Sequence, residues 1–197
     1  MPLVHLQREI NKLNKLILKL GGQVEENLRT GIQSVQNRNS RQGARLLEED
    51  EVVNELEVQT EEEIHKVLAL YQPVASDLRY ILALLKINGD LERIGDLAAN
   101  MGKRSLLVAR YGRHPSPPQI ETMSGLARDM LRQSLDALIH KDLDICRRII
   151  KHDEQVDYLN SEVYDWFKEQ VKAHPDDVSI LLNIYLTAKD LERVADH

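Results

Sequence analysis

The chain has 197 residues and a formal net charge of −6, which suit one ordinary domain or two small ones and argue against nucleic acid or bare anionic membrane as a partner. Its single cysteine, Cys146, excludes an intramolecular disulfide and fits a reducing compartment, and we expect a half-buried thiol without a chemical role. The N-terminus lacks the basic and apolar regions of a signal peptide, and the apolar run at 80–85 is too short to span a bilayer, so we expect a soluble cytoplasmic protein without membrane insertion.

The first helix is predicted from an amphipathic repeat. Apolar residues recur at three- and four-residue spacing from Leu6 to Val35, which indicates one long helix with a weak point at residues 21–22, both glycine. A turn follows, and Ser40 is a good N-cap for a second helix that ends by Pro73.

The third helix is predicted to begin at Ser76 or Asp77, which are good capping residues, and to run to about Arg110. Residues 112–118 follow as the one linker-like segment. Three prolines there, Pro115, Pro117 and Pro118, forbid a helix and favour an extended spacer.

The helical pattern restarts after the linker. A fourth helix is predicted from Ile120 to Ile139, a fifth from the capping residue Asp142 to about His174, and a sixth from near Asp176. No stretch of useful length alternates with the period of a strand. We therefore predict an all-α protein of two tandem three-helix bundles, residues 1–111 and 119–197, related by a pseudo-twofold axis.

A repeated acid pair is the most informative feature of the third and sixth helices. Glu92 and Asp96, together with Asn100, are spaced four apart and stack along one stripe of the helix. Glu192 and Asp196 repeat the pair 100 residues later. Because the apolar stripe lies on another side of the helix, we expect the acids to face outward or toward a neighbouring helix.

The second and fifth helices carry a second repeated pair. Asp50 and Asn54 correspond to Asp153 and Asp157 at an offset of 103 residues. If each of these helices packs antiparallel to the helix that follows it, the oxygen-bearing pairs meet and can hold a hard cation. The predicted metal ligands are Asp50, Asn54, Glu92, Asp96 and Asn100 in the first half, and Asp153, Asp157, Glu192 and Asp196 in the second.

Oxygen ligands favour iron, manganese, magnesium or calcium over a structural zinc. We expect the first site to bind more weakly, because Asn54 is neutral where Asp157 is charged. The simpler explanation is that the acids form local ion pairs, Arg93 with Asp96 and Lys189 with Glu192, three residues apart on one helix.

Taken together and in order, five segments resemble the PhoU family of phosphate-signalling regulators in bacteria and archaea. They are Asp50-x-x-Val53-Asn54, Pro73 to Arg79, Leu91 to Asp96, Asp153-x-x-Val156-Asp157, and Leu191 to His197. The resemblance implies two three-helix bundles whose acidic motifs bind metal clusters, iron or zinc among them. It also implies a cytoplasmic homodimer that restrains phosphate uptake and the starvation response by contacting the phosphate transporter ATPase and its sensor histidine kinase.

The sequence departs from the family pattern in several places. Asn54 replaces an acid, and Ala195 replaces the glycine of the first copy. The second copy stops at His197 with no equivalent of Asn100, from which we expect a C-terminally truncated second repeat.

Two functions other than regulation are possible for an all-α chain with these motifs. A ferritin-like di-iron enzyme needs Glu-x-x-His on two helices, and Glu62 to His65 supplies that motif once. With no glycine-rich phosphate loop or nucleophile elbow, we predict no catalytic residues and no enzyme. A metal-free helical adaptor of another signalling or transport system is the alternative, and metal content distinguishes it from a metal-binding regulator.

Overall fold

The computed structural model describes residues 2–111 and 116–197, with side chains from residue 5. It contains six long α-helices and a short 3-10 turn at Pro175–Asp177 before the last of them. The helices are α1 (Pro2–Gln36), α2 (Ser40–Tyr71), α3 (Ala75–Val108), α4 (Gln119–His140), α5 (Leu143–Ala173) and α6 (Val178–Asp196). No strand occurs in the described ranges, so the all-α prediction is confirmed.

The six helices pack as two tandem three-helix bundles, as predicted. Helices α1, α2 and α3 pack against one another, and so do α4, α5 and α6. The bundles meet along a seam where α1 packs on α4 and α3 packs on α6. Helices α2, α3, α6 and α5 therefore follow one another in a layer. Equivalent helices meet at the seam, as a pseudo-twofold axis between the two halves requires, and that axis stays a prediction.

The buried side chains of both bundles form one continuous apolar cluster. Residues 112–115 of the predicted linker lie outside the described residues, and at its end Pro117 is buried. None of the described helices combines the length and the hydropathy that crossing a membrane requires.

The prediction of one long first helix is confirmed, because α1 runs without a break through Gly21 and Gly22. Gly21 allows α1 to pack closely on α4 at the seam between the bundles. A Cβ atom on Gly21 would come within 2.5 Å of Leu135 Cδ1 on α4, so the missing side chain makes room for that leucine. Gly22 faces open space.

Two of the three predicted helix caps differ in the structure. Asn39, not Ser40, caps α2, with its side-chain oxygen accepting a hydrogen bond from the Gln42 N–H at 3.1 Å. Helix α3 begins at Ala75 with Val74 as its N-cap, and no side chain caps it. Asp142 caps α5 as predicted, accepting from two backbone N–H groups.

Helix α2 ends in a left-handed residue that is not glycine. Gln72 has φ 46° and ψ 56°, a conformation that costs an L-residue about 1 kcal/mol or more and that glycine adopts freely. We expect Gln72→Gly to raise the free energy of unfolding by about 1 kcal/mol in a denaturant titration. The matched control is Gln59→Gly in the exposed middle of α2, which should lower it by about the same amount. A loss of stability in both variants would contradict the assigned strain.

Candidate functional site

Close packing of α2 on α3 places the first set of acids. Val53 of α2 fills the space left by Gly95 of α3, where a Cβ atom would lie 2.8 Å from Val53 Cγ1. Asp50 lies one turn before Val53, and Glu92 and Asp96 flank Gly95. The glycine thus lets the acids of the two helices approach one another, as the sequence predicted for antiparallel helices.

The first cluster, defined as Asp50, Glu57, Glu92 and Asp96, is an electrostatically coupled group. Burial raises the pKa of the Asp50 carboxyl, and the charge of Asp96 raises it further. The pKa of Glu92 is raised by burial first and then by Asp96, Glu57 and Asp50. The Asp50 Oδ1 atom is buried and has no hydrogen-bond partner. These carboxylates therefore repel one another and have unused lone pairs.

Glu57 is a member of this cluster that the sequence pattern did not predict. Asn88 of α3, which is fully buried, donates to the Glu57 carbonyl and to its Oε1, both at 3.0 Å. Burial raises the pKa of Glu57, and Glu61 adds to the effect. The sequence feature that could have identified Glu57 is its seven-residue spacing from Asp50, which places both residues on the same face of α2, two turns apart.

The second cluster, defined as Asp153, Asp157, Glu192 and Asp196, repeats the arrangement between α5 and α6. Burial raises the pKa of Asp153, and the charges of Asp157, Asp196 and Glu192 raise it further. Asp153 Oδ1 and Glu192 Oε2 are buried without hydrogen-bond partners. The structure thus brings together the four acids that the sequence predicted.

The two carboxamides predicted as ligands contribute less. Asn54 is exposed and Asn100 is half-buried, and within the described ranges neither side chain makes a hydrogen bond. Their oxygens are available, but nothing in the structure orients them toward the carboxylates.

The local ion pairs that would explain the acids without a metal form in only one of the two halves. Lys189 Nζ lies 2.5 Å from Glu192 Oε1 in the second cluster. Arg93 and Asp96 make no such ion pair among the described side chains, although Arg93 lowers the pKa of Glu92 electrostatically. The first cluster therefore lacks a direct basic partner, and the second has one.

The chemistry of the described side chains suits a cation better than their arrangement does. The oxygen-rich donor set and the buried, unpartnered oxygens of Asp50, Asp153 and Glu192 suit a hard cation. However, no three His, Cys, Asp or Glu side chains in the described part of the chain are arranged to hold a metal ion. Cation binding would need rotation of the exposed Asp96, Asp157 and Asp196 side chains, and the metal sites stay a prediction.

Without a metal, we expect the two acidic clusters to contribute less to the stability of the folded state as the pH rises. The raised pKa values mean that the folded state binds protons more tightly than the unfolded chain. This contribution to the free energy of unfolding is complete at pH values below the ordinary carboxylate pKa range. It is lost as the pH rises through the raised pKa values of the folded state. Asp153→Asn should flatten this slope in thermal melts measured with a chelator from acidic to neutral pH. An unchanged slope would contradict the clustering of Asp153 with other acids.

The lone thiol differs from its expected setting. Cys146 is exposed, not half-buried. Helix α5 lies at the edge of the layer, and its fully buried residues are Val156 and Val163. Most of the α5 surface, Cys146 included, therefore faces away from the core.

Comparison with known proteins gives consistent matches along the chain. The family model described as the PhoU domain matches residues 17–105 and again residues 120–197. A relative from Thermotoga maritima, named phosphate-specific transport system accessory protein PhoU homolog 1, is 30% identical over 195 residues, covering 98% of this chain and 84% of the relative. The phosphate-specific transport system accessory protein PhoU of Serratia marcescens is 32% identical over 192 residues, covering 95% and 77%.

Solved structures match over almost the same length. The crystal structure of PhoU from Pseudomonas aeruginosa superposes with a TM-score of 0.93 at 28% identity, covering 97% of this chain and 92% of that one. The phosphate transport system regulatory protein PhoU from Streptococcus pneumoniae gives a TM-score of 0.85 at 25% identity, covering 97% and 90%.

Proposed function

The chain belongs to the PhoU family, and on that premise we propose that it restrains phosphate uptake and the phosphate-starvation response. The match to accessory proteins of phosphate-specific transport over nearly the whole chain is the observation that carries the proposal. A chain of this kind acts as a regulator through protein contacts and not as a catalyst. The regulator belongs in the cytoplasm, where the transporter ATPase works.

The proposed partners are the ATPase subunit of the phosphate transporter and the phosphate sensor histidine kinase, with the regulator itself a homodimer. The layer formed by α2, α3, α6 and α5 supports this role, because it carries both acidic clusters. Partly exposed charges at the rim of an interface guide association and select partners.

We further propose that each acidic cluster holds a hard cation such as iron, manganese or magnesium, with zinc as the less favoured ion. Asp50, Glu92 and Asp96 would hold it in the first cluster. In the second, Lys189 is paired with Glu192 Oε1 and would compete with the cation for that carboxylate, whose Oε2 is unpartnered. A bound cation would cancel the mutual repulsion of the carboxylates and make this part of the layer less acidic.

Deletion of the gene in its native host tests the regulatory role. We expect the deletion strain to take up phosphate rapidly and to express starvation genes even in high phosphate, and a plasmid copy should restore repression. Regulation that is unchanged by the deletion would reject the proposal.

A metal-free adaptor of another signalling or transport system is the second candidate. The observation that favours it is the absence, among the described residues, of three side chains arranged around a metal ion. Metal analysis of the protein purified from its host separates the two candidates. Complementation by variants that lack the cluster acids then shows whether regulation needs them.

A further inference from the structure

The seam between the bundles is not completely filled. A cleft of about 250 Å³ opens between α3, α4 and α6, with Leu91, Leu135 and Val194 among its apolar walls. A smaller cavity of about 50 Å³ lies farther along, bordered by Val35 and Ile184. Apolar contacts with gaps of this size tolerate small shifts, because apolar packing has no direction of its own. At one end of the same seam, His197 Nδ1 lies 3.3 Å from Asp90 Oδ1, where both side chains are partly exposed.

One buried ion pair crosses this seam. The Arg104 side chain on α3 donates to Asp190 Oδ2 on α6 from Nε at 2.9 Å and from a terminal nitrogen at 2.8 Å. Asp190 is 4% exposed and is the one ionisable residue in the described core. Burial raises the pKa of its carboxyl, and the charge and hydrogen bonds of Arg104 oppose that rise.

A buried ion pair of this kind adds little net stability. Removing two charges from water costs several kcal/mol, which roughly offsets their attraction, and apolar replacement of both partners is often neutral or stabilising. Removing one partner is costly, because it strands the other charge. Such a pair penalises every alternative alignment, since only one leaves Asp190 facing Arg104.

We propose that the Arg104–Asp190 pair sets the register in which the two bundles dock, and with it the spacing of the two acidic clusters. Helix α3 carries Glu92 and Asp96, and α6 carries Glu192 and Asp196, so a shift of α6 along α3 moves one cluster relative to the other. Arg104 and Asp190 are positioning residues in this scheme. The importance of the spacing rests on the proposed function, whereas the register itself does not.

Spin-label distances across the seam test the proposal. One label goes on the native, exposed Cys146 of α5 and the other on Gln59→Cys, which is exposed on α2. Arg104→Met alone should melt at a clearly lower temperature than the parent. Arg104→Met with Asp190→Leu should regain the parental melting temperature, while the distance distribution becomes roughly twofold wider or shifts. A parental distribution in the double variant, or a double variant as unstable as the single one, would overturn the register role.

Two controls keep the result interpretable. Labels on Cys146 and Lys172→Cys lie on the same helix, and their distance should not change in any variant. The exchanged pair, Arg104→Asp with Asp190→Arg, should restore a narrow distribution of the distance across the seam. A distribution as broad as that of the apolar variant would count against the proposal. Neither measurement depends on phosphate regulation, so failure of the proposed function would leave these outcomes unaffected.

Discussion

Gly43→Ala should lower the free energy of unfolding by about 3 kcal/mol, although alanine is the better helix former. Gly43 lies where α2 crosses α3, and a Cβ atom there would stand 1.9 Å from Ser105 Oγ and 2.6 Å from the Gly102 carbonyl oxygen. The serine can rotate away, but the backbone carbonyl cannot. The helices must therefore move apart, and the buried contacts on either side of the crossing are lost.

The matched control for this variant is Gly22→Ala. Gly22 also lies inside a helix, but no atom approaches the position of its Cβ within 4 Å. Alanine there should raise the free energy of unfolding by about 1 kcal/mol through helix propensity alone. Denaturant titrations of both variants give the comparison, and similar effects of the two substitutions would reject the close approach at Gly43.

Glu92→Ala combined with Asp96→Ala should abolish metal binding at the first cluster and leave the helix content intact. Both side chains lie off the apolar stripe of α3, so their removal leaves no cavity in the core. A cation present at a hundred times its dissociation constant stabilises a folded protein by about 2.7 kcal/mol, and this gain should disappear from the first cluster. In the absence of metal, the same variant should melt above the parent, because the repulsion among Asp50, Glu92 and Asp96 is relieved.

The matched variant at the second cluster is Glu192→Ala with Asp196→Ala. The neutral Asn54 weakens the first site, whereas the Lys189–Glu192 ion pair competes with metal at the second, so calorimetric titration of the two variants measures which effect is larger. Metal analysis and thermal melting complete the test. Equal metal content in the parent and both variants, or no stabilisation by any of the proposed cations, would identify the acids as solvated surface charges.

Local patterns in the sequence were sufficient to predict the helices, their order and the doubling of the acids. These features are local: apolar spacing from Leu6 to Val35 defines α1, and four-residue spacing stacks Glu92 over Asp96 whatever surrounds them. The cap at Asp142 was predictable for the same reason. At the start of α3 the outcome was different, because Val74 occupies the cap position and Ala75 adopts a positive φ of 48°.

Only the tertiary structure decided which groups meet across helices. Three examples are the contact of Gly21 with Leu135, the crossing at Gly43 and the Arg104–Asp190 pair. The first and the third join residues that are 86 or more positions apart, and the second depends on the distance between α2 and α3. Glu57 joined the first cluster for this reason, through the buried Asn88 of α3. Helical periodicity specifies the face that a residue occupies. The partner opposite that face depends on the register and separation of packed helices, which follow from core packing and, at the seam, from the proposed role of the Arg104–Asp190 pair.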